Sequence, residues 1–231
     1  MKTEPNRIYF LDNPYPNGHK VSKFIWSGRI DENETIWFDF HLETDDYYSE
    51  DENNDIAEEP ESDWKAKIVW GNYHSCKISS TYWGEENKGI RISNNSEKLN
   101  FNDFIKNELI VDEIPLDEGY DFEDLAFNIF LLGHDSCANH KIIFKENVND
   151  YNIEWTGKIA LTYGGDYDFA YDFKANINNV KFDGFYYPKS WTLEKAKEVF
   201  NKKIEGFWNY EFIDLNPKSN KREYKLVQRE K

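Results

Sequence analysis

The sequence predicts an α+β protein built predominantly on antiparallel β-sheet, and three observations carry that expectation. Apolar residues recur at every second position through much of residues 153–187, as a half-buried strand requires. Aromatic side chains are abundant, with 17 Phe, 15 Tyr and 8 Trp against a single Met, and they suit a pleated, half-buried surface. Turn residues, Gly164-Gly165-Asp166 and Asn178-Asn179, separate the alternating runs as hairpin turns do.

Within 153–187 the elements follow in order. Ile153, Trp155, Ile159, Leu161 and Tyr163 form one alternating run, and Tyr167, Phe169, Tyr171, Phe173, Ala175 and Ile177 form the next. Val180, Phe182, Gly184 and Tyr186 predict a third strand of the same meander. Earlier in the chain, Arg7-Ile8-Tyr9-Phe10-Leu11-Asp12-Asn13 matches Lys141-Ile142-Ile143-Phe144-Lys145-Glu146-Asn147. Trp26-Ser27-Gly28-Arg29-Ile30 matches Trp155-Thr156-Gly157-Lys158-Ile159, and Phe38-Asp39-Phe40 matches Tyr171-Asp172-Phe173. Val69-Trp70-Gly71-Asn72-Tyr73 against Phe182-Asp183-Gly184-Phe185-Tyr186 is the weakest of the four. Four collinear matches predict a tandem duplication of a β-meander. The expected organisation is a β-rich repeat over 1–110, a connecting helix and linker over 111–140, and a second β-rich repeat over 141–231.

The first copy carries an insertion, residues 43–63, with eleven acidic residues and neither Lys nor Arg. Like charges this dense resist compaction, which predicts a loop. The alternation of Trp64, Ala66, Ile68 and Trp70 predicts that the sheet resumes at once. Strands are expected over 77–83 and 89–92, with a turn at 84–87. Flanking helices are expected over 100–110 (Phe101, Phe104, Ile105 and Leu109 on one face) and 121–132 (Phe122, Leu125, Ile129 and Leu132). A third, over 192–205, has Thr192 as its cap and Gly206 as its stop. Residues 207–213 and 223–227 predict two closing strands around Asn216-Pro217-Lys218.

The formal charge is −16, from 44 acidic and 28 basic residues. A field of that sign repels phosphate backbones, disfavours direct nucleic-acid binding and attracts basic partners. Two cysteines, Cys76 and Cys137, are too few for a disulfide framework. The N-terminal residues lack the apolar stretch of a signal peptide, and no run approaches the ~18 apolar residues of a membrane span. The expectation is a soluble, reduced, cytoplasmic protein.

Motifs with a chemical mechanism are few. Gly-x-x-x-x-Gly-Lys, Gly-x-Gly-x-x-Gly, Gly-x-Ser-x-Gly and His-Glu-x-x-His do not occur. His74, Cys76, His134, Cys137 and His140 form two short pieces whose residue types suit zinc, but their spacing matches no structural zinc motif. Buried thiols and ordinary loop histidines are the plainer reading, so no cofactor is expected and zinc is the alternative. Cys137 with His134 or His140 as nucleophile and base lacks an orienting third group. Asp166, Asp168 and Asp172 offer paired carboxylates, but acids on alternate strand positions usually mark a solvated face. Residues 51–62 fail as a calcium loop: Ile56 stands where glycine is needed and Ser62 where the bidentate Glu should be.

With catalytic motifs missing, weight shifts to binding. The leading expectation is an acidic binding protein, more an inhibitor than an enzyme, that neutralises a basic protein partner, specifically a bacterial immunity protein inhibiting a nuclease-type toxin. Acidic complementarity would speed association and aromatic anchors would supply affinity. The contact residues expected are Asp45, Asp46, Tyr47, Tyr48, Glu50, Asp51, Glu52, Asp55, Glu58 and Glu59. The alternatives are an anti-defence protein mimicking DNA, and a zinc-binding domain or enzyme using the His/Cys pieces. A solvated loop that touches nothing is the bland reading of the insertion.

Overall fold

The computed structural model describes residues 4–50, 62–80, 88–92, 98–220 and 222–229. Its centre is a closed barrel of eight antiparallel strands. In chain order these are β1 (Arg7–Phe10), β2 (His19–Ile30), β3 (Ile36–Thr44) and β4 (Lys77–Ser80). After β5 (Ile90–Arg91) and β6 (Leu109–Val111) come β7 (Phe127–Phe130), β8 (His134–Glu146), β9 (Tyr151–Ala160) and β10 (Tyr171–Val180). Each barrel strand pairs with the next, and β10 closes the ring on β1, with Arg7 opposite Asn176 and Phe10 opposite Phe173. The short β5 and β6 pair with β3 and β8.

Alternation decides what faces inward. Ile8 and Phe10, Trp26, Phe38 and Phe40, Ile153 and Trp155, and Phe173 and Ala175 are all buried. Trp26 packs against Phe144 at 4.6 Å and Phe182 at 4.8 Å, and Trp155 against Phe127 at 4.8 Å and Phe40 at 5.5 Å. An eight-stranded barrel leaves room for packed side chains or for one small ligand. Here aromatic rings occupy that room. The outward face of β8–β10 carries the pairs Lys145–Glu154 and Lys158–Asp172, unlike the apolar band of a lipid-spanning barrel. Among the described residues no helix is long and apolar enough to cross a membrane.

A bulge in β8 places one polar ring in this apolar interior. Asn139, at φ 53, and His140 stand between the paired residues Ala138 and Lys141. His140 is fully buried. Its Nδ1 accepts a hydrogen bond from Trp155 Nε1 at 3.2 Å, so the neutral ring carries its proton on Nε2. Burial pushes its pKa down to about 3. Gly157 on the neighbouring strand makes the space: a Cβ there would lie 2.6 Å from Phe173 and 2.7 Å from His140.

Beyond the barrel, β11 (Phe182–Tyr186) lies parallel to β2, and the hairpin of β12 (Tyr210–Asp214) and β13 (Tyr224–Gln228) extends the sheet from it. The predicted third meander strand therefore forms, but it leaves the meander, because the free edge of β10 is taken by β1. The helix expected over 192–205 is present as α3 (Leu193–Lys203), with Thr192 accepting from Lys195 N and Ala196, Val199 and Phe200 buried.

Several local expectations are overturned. The alternating runs outlast their strands: β9 ends at Ala160, Tyr163 sits in a 3-10 turn and Tyr167 and Phe169 precede β10, while Asn178-Asn179 form an irregularity within β10 rather than a hairpin turn. Residues 64–70 are not a strand: a 3-10 turn at Asp63–Lys65 leads into α1 (Lys67–Gly71). Strands β3 and β4 already bond to each other, with Leu42 opposite Ile78, so no edge is open to an intervening strand. The helix over 121–132 is instead a 3-10 turn at Phe122–Asp124 and strand β7, which fills the ring position between β4 and β8. The helix over 100–110 shrinks to one turn, α2 (Phe101–Phe104), capped by the Asn100 side chain. Leu109 to Val111 then pair with β8. The expected turn at 84–87 lies outside the described residues.

Three of the four repeat matches fall on corresponding strands, β1 with β8, β2 with β9 and β3 with β10. The fourth sets α1 against strand β11, so the full four-part repeat is not carried through. Strands from both halves close one common ring.

Gly157→Ala is expected to destabilise the protein by roughly 1–3 kcal/mol through overpacking. Gly164→Ala, where an added Cβ meets nothing within 4 Å, is the control and should be near neutral. Urea unfolding of both variants measures the difference.

Candidate functional site

With aromatic rings filling the barrel interior, the loop-bearing ends carry the next most prominent groupings of side chains. One end gathers the β1–β2 turn, the long β3–β4 connection, the β7–β8 turn and the β9–β10 connection. It is plugged by aromatic side chains. Trp64 stacks on Tyr171 at 4.1 Å and meets Trp70 edge-on at 5.3 Å. Trp64 Nε1 donates to the Leu11 carbonyl, and Trp70 Nε1 to the Trp64 carbonyl, each at 2.8 Å. Trp70 in turn meets Tyr47 at 5.1 Å and lies parallel to His19 at 5.9 Å.

Around this plug sits a mixed surface. Leu11, Tyr48, Ile68 and Tyr163 are exposed, Ile68 to 69% and Tyr163 to 64%. Tyr163 meets Tyr73 edge-on at 6.5 Å. Carboxylates lie among them: Asp63 and Asp166 are close enough to Tyr171 to raise its pKa, although burial is the larger cause. Asp45 lies 3.7 Å from Lys20 and Asp46 lies 3.4 Å from His74. Exposed pairs of this kind contribute little to stability.

The expected contact residues separate into groups. Tyr47 is only 2% exposed and donates through its hydroxyl to the Leu131 carbonyl at 3.2 Å. It anchors the connection to the barrel, and its ring is not on the surface. Tyr48 is exposed, and its hydroxyl reaches the Lys67 carbonyl at 3.4 Å. Asp45, Asp46 and Glu50 flank these two tyrosines. Asp51, Glu52, Asp55, Glu58 and Glu59 lie outside the described residues.

The His/Cys pieces do not converge. His74 is exposed beside Asp46, and His134 packs on Phe130 at 5.4 Å. Cys76 and Cys137 are buried free thiols, and burial holds both thiol pKa values well above the ordinary range. His140 lies inside the barrel. Among the described residues no group of three or more His, Cys, Asp or Glu is placed to hold a metal ion.

Sequence reading passed over a cleft of about 470 Å³ at the rim of this end, lined in part by Arg7, Tyr15, Gly18, His19 and Tyr47. The turn Pro14-Tyr15-Pro16-Asn17-Gly18 forms one wall. Gly18 closes it at φ 66, and a side chain there would run into the Ile8 carbonyl at 2.6 Å. Arg7 Nε donates to the Asn17 carbonyl at 2.8 Å and Nη2 to the Gly18 carbonyl at 3.0 Å. Nη2 also donates to the Glu50 carboxylate. This pair holds Glu50 below the usual carboxylate range and raises Arg7. His19 is caged by Tyr15 at 4.8 Å and Tyr47 at 4.7 Å. Its Nε2 has no hydrogen-bond partner among the described residues. Burial first, and then the charge of Arg7, push its pKa down to about 4. The only signal in the sequence was the Pro-Tyr-Pro-Asn-Gly turn, which marks a loop and no chemistry.

A second buried polar feature lies on the outward face of β2 and β3. Arg29 Nε is 2.9 Å from Asp39 Oδ2, with both side chains almost wholly buried and Trp37 against the guanidinium at 4.9 Å. Burial pushes the Asp39 carboxyl up to about 7, against the pull of Arg29 and Ser80. Comparison of the chain with protein-family models, curated proteins and solved structures gave no match.

The His19 environment has a pH consequence. Between about pH 6.5 and 4 the unfolded chain binds a proton at this residue that the folded barrel does not, so this contribution to stability falls as pH falls through that window. His19→Phe keeps an aromatic ring in the cage and removes the titration. Over the same window the native protein should lose up to about 3 kcal/mol more unfolding free energy than the variant, as measured by denaturant titration at each pH. Parallel pH profiles for the two proteins would contradict this account.

Proposed function

We propose that this protein binds and neutralises a basic protein partner through the acidic, apolar-flecked end of its barrel. Its most concrete form is a cytoplasmic bacterial immunity protein that occupies the cationic surface of a nuclease-type toxin. The observation that carries the reading is a juxtaposition: the acidic connection emerges beside exposed Tyr48, Ile68 and Leu11 on a rigid aromatic plug. Charge complementarity speeds encounter and excludes wrong partners, whereas desolvated aromatic and aliphatic anchors supply most of the affinity. A filled barrel supports this reading further, because it leaves the ends as the natural recognition surface. Duplication of a β-meander is part of the same proposal, supported by the three strand-on-strand matches.

Tyr47 is a buried anchor, so a clean test leaves residues 45–50 intact and removes charge only. Asp51, Glu52, Asp55, Glu58, Glu59 and Glu61 are changed together to Asn or Gln. The partner is captured from a lysate of the source cells at low salt and identified by mass spectrometry. The neutralised variant should associate with it about tenfold or more slowly, with a flatter salt dependence. Capture of partners without a basic surface, or unchanged association kinetics, would count against the proposal. Ile68→Ala should instead raise the dissociation rate, because it removes an apolar contact and leaves the charge unchanged.

A further inference from the structure

We infer that the rim cleft beside Arg7 is a binding site for a small organic monocarboxylate with a flat apolar body, and that Glu50 occupies its anion seat in the free protein. Three features of the cleft lead to this assignment.

The first is a prepared cation. Arg7 is 9% exposed, and its guanidinium is held in place by the Asn17 and Gly18 carbonyls. A guanidinium with a constrained plane presents its remaining N–H groups in one orientation, which suits the planar carboxylate. The second is the occupant already there. The Glu50 side chain is half exposed, yet its carboxylate reaches into the cleft and pairs with Arg7, so the seat accepts this group. The third is the lining. Pro14, Tyr15 and Pro16 supply apolar surface within a mostly polar lining, and the volume of about 470 Å³ lies within the roughly 300–1,000 Å³ of small-ligand sites. His19, caged by Tyr15 and Tyr47, forms part of the inner lining.

The charge balance favours a monoanion over phosphate. Glu4 and Glu50 line the cleft with Arg7 and Lys20, so its two cations are already balanced, and the chain as a whole carries a formal charge of −16. A dianion would face more repulsion there than a carboxylate does. The inference shares Glu50 with the partner proposal, but its test uses the protein alone.

Benzoate is the probe, with acetate and inorganic phosphate as comparisons, and the readout is the NMR resonance of the Arg7 side-chain Nε–Hε. The native protein should bind benzoate weakly, because Glu50 competes for the seat. Glu50→Gln removes the competing charge and leaves the contacts of Arg7 with the turn in place, so it should bind about tenfold more tightly. Acetate should bind more weakly than benzoate, since it lacks the flat body. Thermal unfolding of Glu50→Gln verifies that the variant is folded. Absence of any benzoate-induced shift of Arg7 in folded Glu50→Gln would overturn the site. Equal benzoate affinity in the two proteins would overturn the self-occupancy. Phosphate binding as tight as benzoate would overturn the carboxylate assignment.

Discussion

The architecture depends on one constraint: a sheet that closes on itself must fill its own interior. Pairing of β10 with β1 closes the ring. It also creates a lumen bounded by eight strands, where unpaired polar groups are costly. Trp26, Phe38, Phe40, Phe127, Trp155 and Phe173 fill it with large rings in tilted and edge-on contacts, arrangements that aromatic quadrupoles favour. Truncating such a ring typically costs about 3–5 kcal/mol. The close approach at Gly157 leaves room for Phe173 and for His140 of the β8 bulge.

Filling the interior moves any recognition outwards, and the two ends then differ. One is covered by Phe101, Phe182 and Phe185, with α3 packed over the adjoining sheet. The other is stoppered by Trp64 and Trp70 and bears the acidic connection. Its ion pairs are mostly exposed and screened by salt. The Arg7–Glu50 contact is different because one partner is nearly buried. It ties the root of the acidic connection to the barrel, so the electrostatic end and the rim cleft share a residue.

How far the sequence could be read follows from how apolar residues were spaced. Where alternation ran uninterrupted, as over Ile153 to Ile159 or Phe173 to Ile177, the strands form and the inward face is the one expected. α3 was legible because its cap, apolar face and stop agreed. Residues 121–132 were not, because dense apolar positions satisfy both helical and extended periods. Phe127, Ile129 and Leu131 are as good an alternation as Phe122, Leu125 and Ile129 are a helical face. A vacant place in the ring between β4 and β8 chose between them. In Trp64, Ala66, Ile68 and Trp70 the alternation was real but the period misled. No free strand edge was within reach, so the segment coiled and sent Ile68 into solvent.

Taken alone, the chain determined its sheet class, its helix at the C-terminal end and the place where its negative charge gathers, because composition and short-range period are local properties. It could not determine that the strands close into one ring, that Tyr47 is buried while Tyr48 is not, or that Arg7 meets Glu50 across 43 residues. Those outcomes are long-range. They depend on which edges remain unpaired once every other strand has found its neighbour, and only the assembled barrel supplies that information.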